Sequence, residues 1–139
     1  MTNRILIFLP IMILLFSCKS TQYTPKNYRE TQLIVGSSGG VSGMIREYCL
    51  LDNGQIFVSK GIAGDWKALK YVKSSKVRSF VSRSKDLGLD TLHFNHPGNM
   101  TYYFVYKSGK RTNEVKWGEA DKPIPANIKV FYQEIIQAF

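Results

Sequence analysis

The sequence predicts an α+β domain in which two helices pack on one face of an antiparallel sheet of about five strands, in the order β-β-β-α-β-β-α. Two observations predict this class. Several short runs alternate apolar and polar residues and end at glycine-containing turns, as half-buried strands do. Two longer segments, one central and one C-terminal, repeat their apolar residues with helical spacing. Strand hairpins covered by helices on one side are the simplest packing of such elements.

Three strands are predicted in the first half of the domain. The first covers residues 32–35, the second residues 44–51 and the third residues 56–59. The second and third are joined by Asp52-Asn53-Gly54-Gln55, because Asn-Gly accepts the positive φ that a tight hairpin turn needs. Residues 36–43 are glycine-rich and are predicted to form a bend or bulge between the first two strands.

The central helix is predicted to begin near Lys76, with Ser74 or Ser75 as its cap, and to stop at Gly88. Its apolar stripe consists of Val77, Phe80, Val81 and Leu87, with Ser84 completing the spacing. Residues 90–99 follow and are predicted to be a loop. The basic residues of the helix lie largely on the face opposite the stripe.

The second half of the domain carries the clearest alternation. In residues 100–107, one face holds Met100, Tyr102, Phe104 and Tyr106, and the other holds Thr101, Tyr103 and Val105. A turn at Ser108-Gly109 leads to a returning strand at residues 111–117, and Pro125 precedes the last helix. The apolar positions of that helix are Ile128, Phe131, Tyr132, Ile135, Ile136 and Phe139.

The N-terminus has the three parts of a bacterial export signal. Residues 1–4 are short and positively charged, residues 5–16 are apolar apart from Pro10, and the small residue Ser17 follows. The apolar run is shorter than the roughly 20 residues that a membrane-spanning helix needs. An exported protein without a transmembrane anchor is therefore predicted.

Leu15-Phe16-Ser17-Cys18 resembles the processing site of bacterial lipoproteins, with a leucine three residues before the cysteine and a small residue directly before it. Phe16 departs from the residues that are usual at its position. The resemblance implies that the Cys18 thiol receives diacylglycerol, that signal peptidase II cuts after Ser17, and that further acylation, for example with palmitate, follows. Since two or more acyl chains anchor a protein stably, the chain is predicted to stay on a membrane. Lys19 stands where an aspartate retains lipoproteins at the inner membrane, which implies the outer membrane and its periplasmic side.

Three regions follow from this processing: a signal peptide at residues 1–17, a lipidated cysteine with a flexible tether at residues 18–30, and a single domain at residues 31–139. Cys49 has no partner for an internal disulfide once Cys18 is lipidated. It lies in a strand-like run and is predicted to be a buried structural thiol.

The charge is +9, and basic residues concentrate between residues 60 and 85. They are Lys60, Lys67, Lys70, Lys73, Lys76, Arg78, Arg83 and Lys85. In a cytosolic protein such a run points to nucleic acid, but export makes that partner a poor fit. Two alternatives remain open: a solvated basic face without a ligand, and contact with anionic lipid headgroups or an acidic partner.

Two motifs suggest chemistry, and neither predicts a catalytic residue. Gly36-Ser37-Ser38-Gly39-Gly40 matches G-x-S-x-G, but a nucleophile elbow needs a helix after the serine, and here a strand is predicted. His93 and His96 lie close together in a loop, and with Asp90 they form the candidate for a metal-dependent enzyme. No third ligand has motif spacing, so surface histidines are predicted, with no metal, no cofactor and no enzymatic activity.

A family resemblance extends over most of residues 31–139. Gly-Gly-Val-Ser-Gly at residues 39–43 precedes a strand and is similar to the G-G-Φ-x-G start of emfourins. The strand at residues 102–105, the turn at Gly109, the strand around Val115, a proline-bearing loop and a terminal amphipathic helix follow that family's order. The resemblance implies a small protein inhibitor of thermolysin-like metalloproteases. The basic first helix, the 93–99 loop and the lipoprotein signal depart from the family pattern, and no inhibitory residue is assigned.

Together these features predict a membrane-anchored, non-catalytic binding module of the cell envelope. Its protein partner is expected at an exposed sheet edge or at the 36–43 bend, where backbone groups are open to strand addition. The alternatives are an emfourin-like inhibitor whose partner is a protease, a structural lipoprotein that contacts anionic lipid, and an enzyme built on the histidine loop.

Overall fold

The structure is a computed structural model and describes residues 22–61 and 64–139. The predicted signal peptide and Cys18 lie outside the described residues. The strands of this part of the chain are β1 (Gln32–Gly39), β2 (Ile45–Leu51), β3 (Ile56–Gly61), β4 (Lys67–Ala68), β5 (Phe94–His96), β6 (Met100–Ser108) and β7 (Arg111–Trp117). The helices are α1 (Ser74–Asp86), between β4 and β5, and α2 (Ala126–Ala138), at the C-terminus.

The prediction of an α+β fold is confirmed, and the prediction of about five antiparallel strands is wrong. The described residues form a mixed sheet of seven strands, in the order β4-β3-β2-β1-β6-β7-β5. The two additional strands lie at its edges, and β5 runs parallel to β7. With two and three residues, these strands are too short to show an alternating pattern, and they form only because a longer strand offers its open edge.

Several predicted element ends shift once the partner strands are in place. β1 continues through the expected bend to Gly39, because β6 pairs along its whole length as far as Met100. α1 begins after Lys73, and no side chain caps it, so the predicted serine cap is wrong. Its predicted stop is confirmed: Leu87 is the C-cap residue, and Gly88 follows with a φ of 73°.

Both helices cover the same face of the sheet. The buried side chains of this layer include Val77, Phe80 and Val81 from α1, Ile128, Phe131, Tyr132 and Ile135 from α2, and Leu33, Val35, Tyr48, Leu50, Phe104, Tyr106, Val115 and Trp117 from the strands. Phe104 is the centre of its aromatic part, with ring centroids 5.7 Å from Trp117 and Phe131 and 5.8 Å from Tyr132. The alternation predicted for β6 is therefore confirmed, with Phe104 and Tyr106 on the helix-covered face.

The opposite face, called the open face, carries a smaller apolar cluster. Its buried members are Tyr28, Ile34, Cys49, Leu51, Phe57 and Tyr103, with Trp66 and Val105 packed against them. Burial of the Cys49 thiol is confirmed, and that burial raises its pKa to about 12. The thiol is therefore expected to be unreactive toward alkylating reagents near neutral pH.

The N-terminal end of the described chain packs on the open face. Packed structure therefore begins before residue 31, which is the predicted start of the domain. Tyr28 is buried there, and its hydroxyl donates a hydrogen bond to Asp52. The Thr31 amide donates to the same carboxylate over 3.1 Å. Pro25 is also buried, so ordered packing includes the last residues of the predicted 18–30 tether.

Candidate binding site at the β1–β2 hairpin

The connection between β1 and β2 projects two large apolar side chains into solvent. We call residues 40–44 the hairpin tip. Val41 is fully exposed at 110 %, and Met44 is 67 % exposed. Met100, at the start of β6, is 38 % exposed, and its sulfur lies beside Gly40 of the tip. Exposed apolar side chains on one short connection make it a candidate for protein–protein contact.

The hairpin tip is fixed to the body of the sheet by backbone contacts. The Gly40 amide donates to the Asn99 carbonyl over 3.0 Å, and the Gly43 amide donates to the Gly40 carbonyl over 3.2 Å. Gly39 has a φ of 105°, and a Cβ at this residue would lie 2.2 Å from the Asn99 oxygen. The tip is thus a shaped projection whose conformation depends on a glycine at residue 39.

Alanine at Gly39 is expected to destabilise the domain by at least about 2 kcal/mol, because it combines a strained φ with a clash against backbone. Gly43→Ala is the matched control on the same tip. Gly43 also has a positive φ, of 59°, but an added Cβ there meets nothing within 4 Å. Urea unfolding should therefore show a loss of about 1 kcal/mol for the control. Equal losses for the two variants would contradict the proposed contact between Gly39 and Asn99.

A cleft of about 540 Å³ lies beside the tip on the open face of the sheet. It is lined by Ser38, Ile45, Glu47, Asn95, Pro97, Thr101, Tyr103, Val105, Glu114 and Lys116. The lining combines apolar side chains with two carboxylates and one ammonium group. Such a mixture suits a protein or peptide segment that places both apolar and polar groups in the cleft.

Tyr103 forms the floor of this cleft and lies across Gly36. A Cβ at Gly36 would lie 2.7 Å from the Tyr103 ring, so glycine leaves the space that the ring occupies. The Tyr103 hydroxyl donates to Glu47 Oε1 over 2.7 Å. Burial and this hydrogen bond raise the pKa of Tyr103, so the hydroxyl stays protonated and remains a donor.

The second carboxylate of the cleft has a cationic neighbour. Lys116 Nζ lies 3.1 Å from Glu114 Oε1, and both side chains are at least one-third exposed. An exposed pair of this kind adds little stability. These two groups are therefore available for polar contacts with a partner at the rim of the cleft.

Both edges of the sheet end in a short strand. β4 has two residues and β5 has three, and β5 pairs only with the last three residues of β7. Short edge strands restrict strand addition. Addition on β4 or β5 itself is thus limited to a few residues, whereas residues 111–114 of β7 extend beyond the β5 pairing.

The serines of the G-x-S-x-G motif lie within β1, and the hairpin tip and β2 follow them rather than a helix. Ser38 lines the open-face cleft, whereas Ser37 is paired in register with Arg46 and Tyr102. This arrangement lacks the strand-to-helix turn that presents a nucleophile.

β5 includes His96, and His93 directly precedes the strand. His96 Nδ1 lies 3.3 Å from Glu119 Oε2, and both side chains are more than one-third exposed. His93 is exposed ahead of the strand. Within residues 22–61 and 64–139, no three His, Cys, Asp or Glu side chains are close enough to hold a metal ion.

The basic residues between 60 and 85 do not form one surface. Lys60 pairs in register with Arg46 near the hairpin tip. Arg83 binds Glu134 of α2 over 2.6 Å, and it lies over the rings of Phe80 and Phe131. The sequence cluster is thus distributed over different sides of the domain.

A groove of about 370 Å³ between α2 and the ends of β6 and β7 was not anticipated from the sequence. Its aromatic side chains are Tyr102, Trp117 and Tyr132, with Trp117 buried and its ring 5.1 Å from that of Tyr132. Lys122 and Lys129 lie at its rim. The three aromatic residues are visible in the sequence. Whether their side chains meet in one groove depends on how α2 crosses the sheet.

The predicted lipidation site, Cys18, lies outside the described residues, as does the whole apolar run. Within the described ranges, no helix is long and apolar enough to cross a membrane. The chain matches no family model, and no curated protein is significantly similar to it. The resemblance to emfourins consequently rests on the sequence pattern and stays a hypothesis.

Proposed function

We propose that this protein is a lipoprotein of the cell envelope that acts as a non-catalytic binding module and holds a protein partner at the hairpin tip. Cys18 carries the lipid, and the outer membrane, facing the periplasm, is the proposed location. The observation that carries the binding function is the fixed, glycine-shaped tip that exposes Val41 and Met44 beside the open-face cleft.

The physical case for binding is that exposed apolar side chains on a pre-formed projection lose little conformational freedom when they are buried by a partner. The tip is tied to Asn99, so its backbone is ordered before binding. The neighbouring cleft offers polar groups, including Glu114 and Lys116, at the rim of the apolar contact. This arrangement of apolar centre and polar surroundings is that of a protein–protein interface.

Substitution of the tip should remove partner capture without unfolding the domain. Val41→Ser combined with Met44→Ser is expected to reduce capture of envelope proteins by the full chain at least about tenfold, since central apolar anchors contribute 2 kcal/mol or more. The matched control is Tyr71→Ser with Val130→Ser, because these residues are also large, apolar and more than half exposed. Equal capture by both double variants would contradict the placement of the site at the tip.

The second candidate is an emfourin-like inhibitor of a thermolysin-type metalloprotease. One observation favours it: the segment that resembles the emfourin start, residues 39–43, ends β1 and includes most of the exposed hairpin tip. Titration of a thermolysin-type protease with the protein, using a small fluorogenic peptide, distinguishes this candidate. Stoichiometric inhibition with the protein left uncut would support it. Absence of inhibition, or digestion of the protein, would exclude it and leave the binding module.

A further inference from the structure

The number of residues between Cys18 and the first buried residue of the described chain limits the distance between the proposed lipid anchor and the domain. Pro25 is buried and lies seven residues after Cys18. Seven residues span at most about 25 Å when fully extended. Tyr28 then holds the chain against Asp52, at the turn between β2 and β3. The described chain thus joins the sheet at the N-terminal end of β1, and the segment from Cys18 leads to this end.

This end of the sheet, called the anchor end, is assembled from separate segments of the chain. The Gly109 amide, in the β6–β7 turn, donates to the Arg29 carbonyl over 3.1 Å. Arg78 of α1 approaches the Asn53 carbonyl at 3.4 Å. A cleft of about 310 Å³ brings Lys85 of α1 to the start of β1. Two turns, the N-terminal segment and one side of α1 thus meet here.

The anchor end carries an excess of cations. Its basic residues are Lys26, Arg29, Arg78, Lys85, Lys107, Lys110 and Arg111, and its carboxylates are Glu30, Asp52 and Asp86. All these cations are exposed except Lys107, which is half-buried. The Asp52 carboxylate is occupied by Tyr28 and by the Thr31 amide. Clustered Lys and Arg side chains next to a membrane anchor attract anionic lipid headgroups.

We propose that the anchor end lies against the bilayer and binds anionic lipid headgroups, so that the hairpin tip points away from the membrane. This inference rests on the proposed lipid anchor at Cys18. β1 joins the two ends, and its eight residues place the tip about 23 Å farther from the anchor end. The lipid contact is thus assigned to residues from separate segments rather than to residues 60–85 alone.

Fluorescence quenching by lipids tests this orientation. The full chain is expressed with its own signal, purified in detergent and reconstituted into phosphatidylcholine vesicles that contain phosphatidylglycerol and a headgroup-linked quencher. A fluorophore is attached to Thr112→Cys at the anchor end or to Val41→Cys at the tip. Labelling is selective because the Cys49 thiol is buried and the Cys18 thiol is blocked by lipid in the processed protein. The label at residue 112 should be quenched several-fold more strongly.

Two charge variants separate lipid recognition from tethering alone. Lys107→Gln, Lys110→Gln and Arg111→Gln together should reduce quenching of the residue 112 label toward that of the residue 41 label. The matched control is Lys60→Gln, Lys122→Gln and Lys129→Gln, which removes the same charge from residues near the tip and the aromatic groove. The control should leave the quenching unchanged, and raising the salt concentration should act like the first variant.

The possible outcomes are distinguishable. Equal quenching at residues 112 and 41, or stronger quenching at residue 41, would overturn the orientation while leaving the anchor intact. Equal effects of the two charge variants would overturn recognition of headgroups by the anchor end. Failure of the unlabelled protein to float with purely neutral vesicles would instead show that the lipid anchor is absent, which overturns the proposed anchoring and this inference together.

Discussion

Replacing Cys18 by serine is expected to reduce fatty-acid incorporation into the protein to background. The serine hydroxyl does not take the diacylglyceryl group that the thiol is proposed to receive, and the signal peptide should stay attached because lipoprotein processing follows lipidation. Metabolic labelling with an alkyne-bearing palmitate, followed by gel detection of the full chain, measures the effect. Since the proposed lipid attachment depends on this one thiol, the expected change in fatty-acid incorporation is all-or-none.

Cys49→Ser is the control for this substitution, because Cys49 is the other cysteine of the chain. Its thiol is buried on the open face, so it is not a substrate for acylation in the folded protein. The control should incorporate palmitate at the level of the unmodified chain. Lipid labelling that persists in Cys18→Ser and disappears in Cys49→Ser would contradict the proposed anchor.

The largest expected effect on stability comes from Phe104→Ala. Phe104 is 1 % exposed, and its ring contacts those of Trp117, Phe131 and Tyr132. Removal of a buried phenylalanine ring costs about 3–5 kcal/mol, through lost apolar burial and the cavity left behind. Because small domains are stable by only about 5–15 kcal/mol, thermal unfolding should shift to a much lower temperature.

Two further variants keep this prediction testable if Phe104→Ala does not fold. Phe104→Leu retains part of the volume and should lower the free energy of unfolding by less than the alanine variant. Val105→Ala lies on the same strand but on the open face, where Val105 is only half-buried, and it should cost about 1 kcal/mol. A larger loss at Val105 than at Phe104 would contradict the placement of the main core between the sheet and the helices.

Long helices and strands could be predicted from the sequence, because the spacing of their apolar residues indicates which face is buried. The α2 positions predicted from helical spacing include Ile128, Phe131, Tyr132 and Ile135, and all four are buried. The alternation along β6 likewise separates its two faces. β4 and β5 could not be predicted in this way, since two or three residues are too few to show an alternation of apolar and polar side chains.

The candidate site could be predicted only in part. The glycines of residues 36–43 indicated a bend, but Gly36 and Gly39 lie within β1 because β6 pairs with this part of the chain. Tyr103 of β6 lies across Gly36, and Asn99, directly before β6, approaches Gly39. These are contacts across strands that are distant in sequence. The sequence shows where the glycines are. Which residue lies against each glycine, and so excludes a side chain there, depends on the register between β1 and β6.

The position of charged surface patches was equally difficult to predict from the sequence. The basic run between residues 60 and 85 is prominent in the sequence, yet Arg83 is engaged by Glu134 on the helix side of the domain. The anchor end combines Arg78 and Lys85 of that run with cations from the N-terminal segment and the β6–β7 hairpin. A surface patch of this kind depends on the chain topology, and the linear density of charge does not predict it.

Site-specific photocrosslinking in living cells tests the binding module most directly. A photoreactive amino acid is placed at residue 41 of the full chain or, as a control, at residue 130, which is an exposed apolar position on α2. The proposed function predicts a discrete protein adduct from residue 41 that is absent from residue 130. It also predicts that the adduct is lost on addition of Met44→Ser. Absence of an adduct at residue 41, or the same adduct from both positions, would contradict the assignment of the hairpin tip as the partner site.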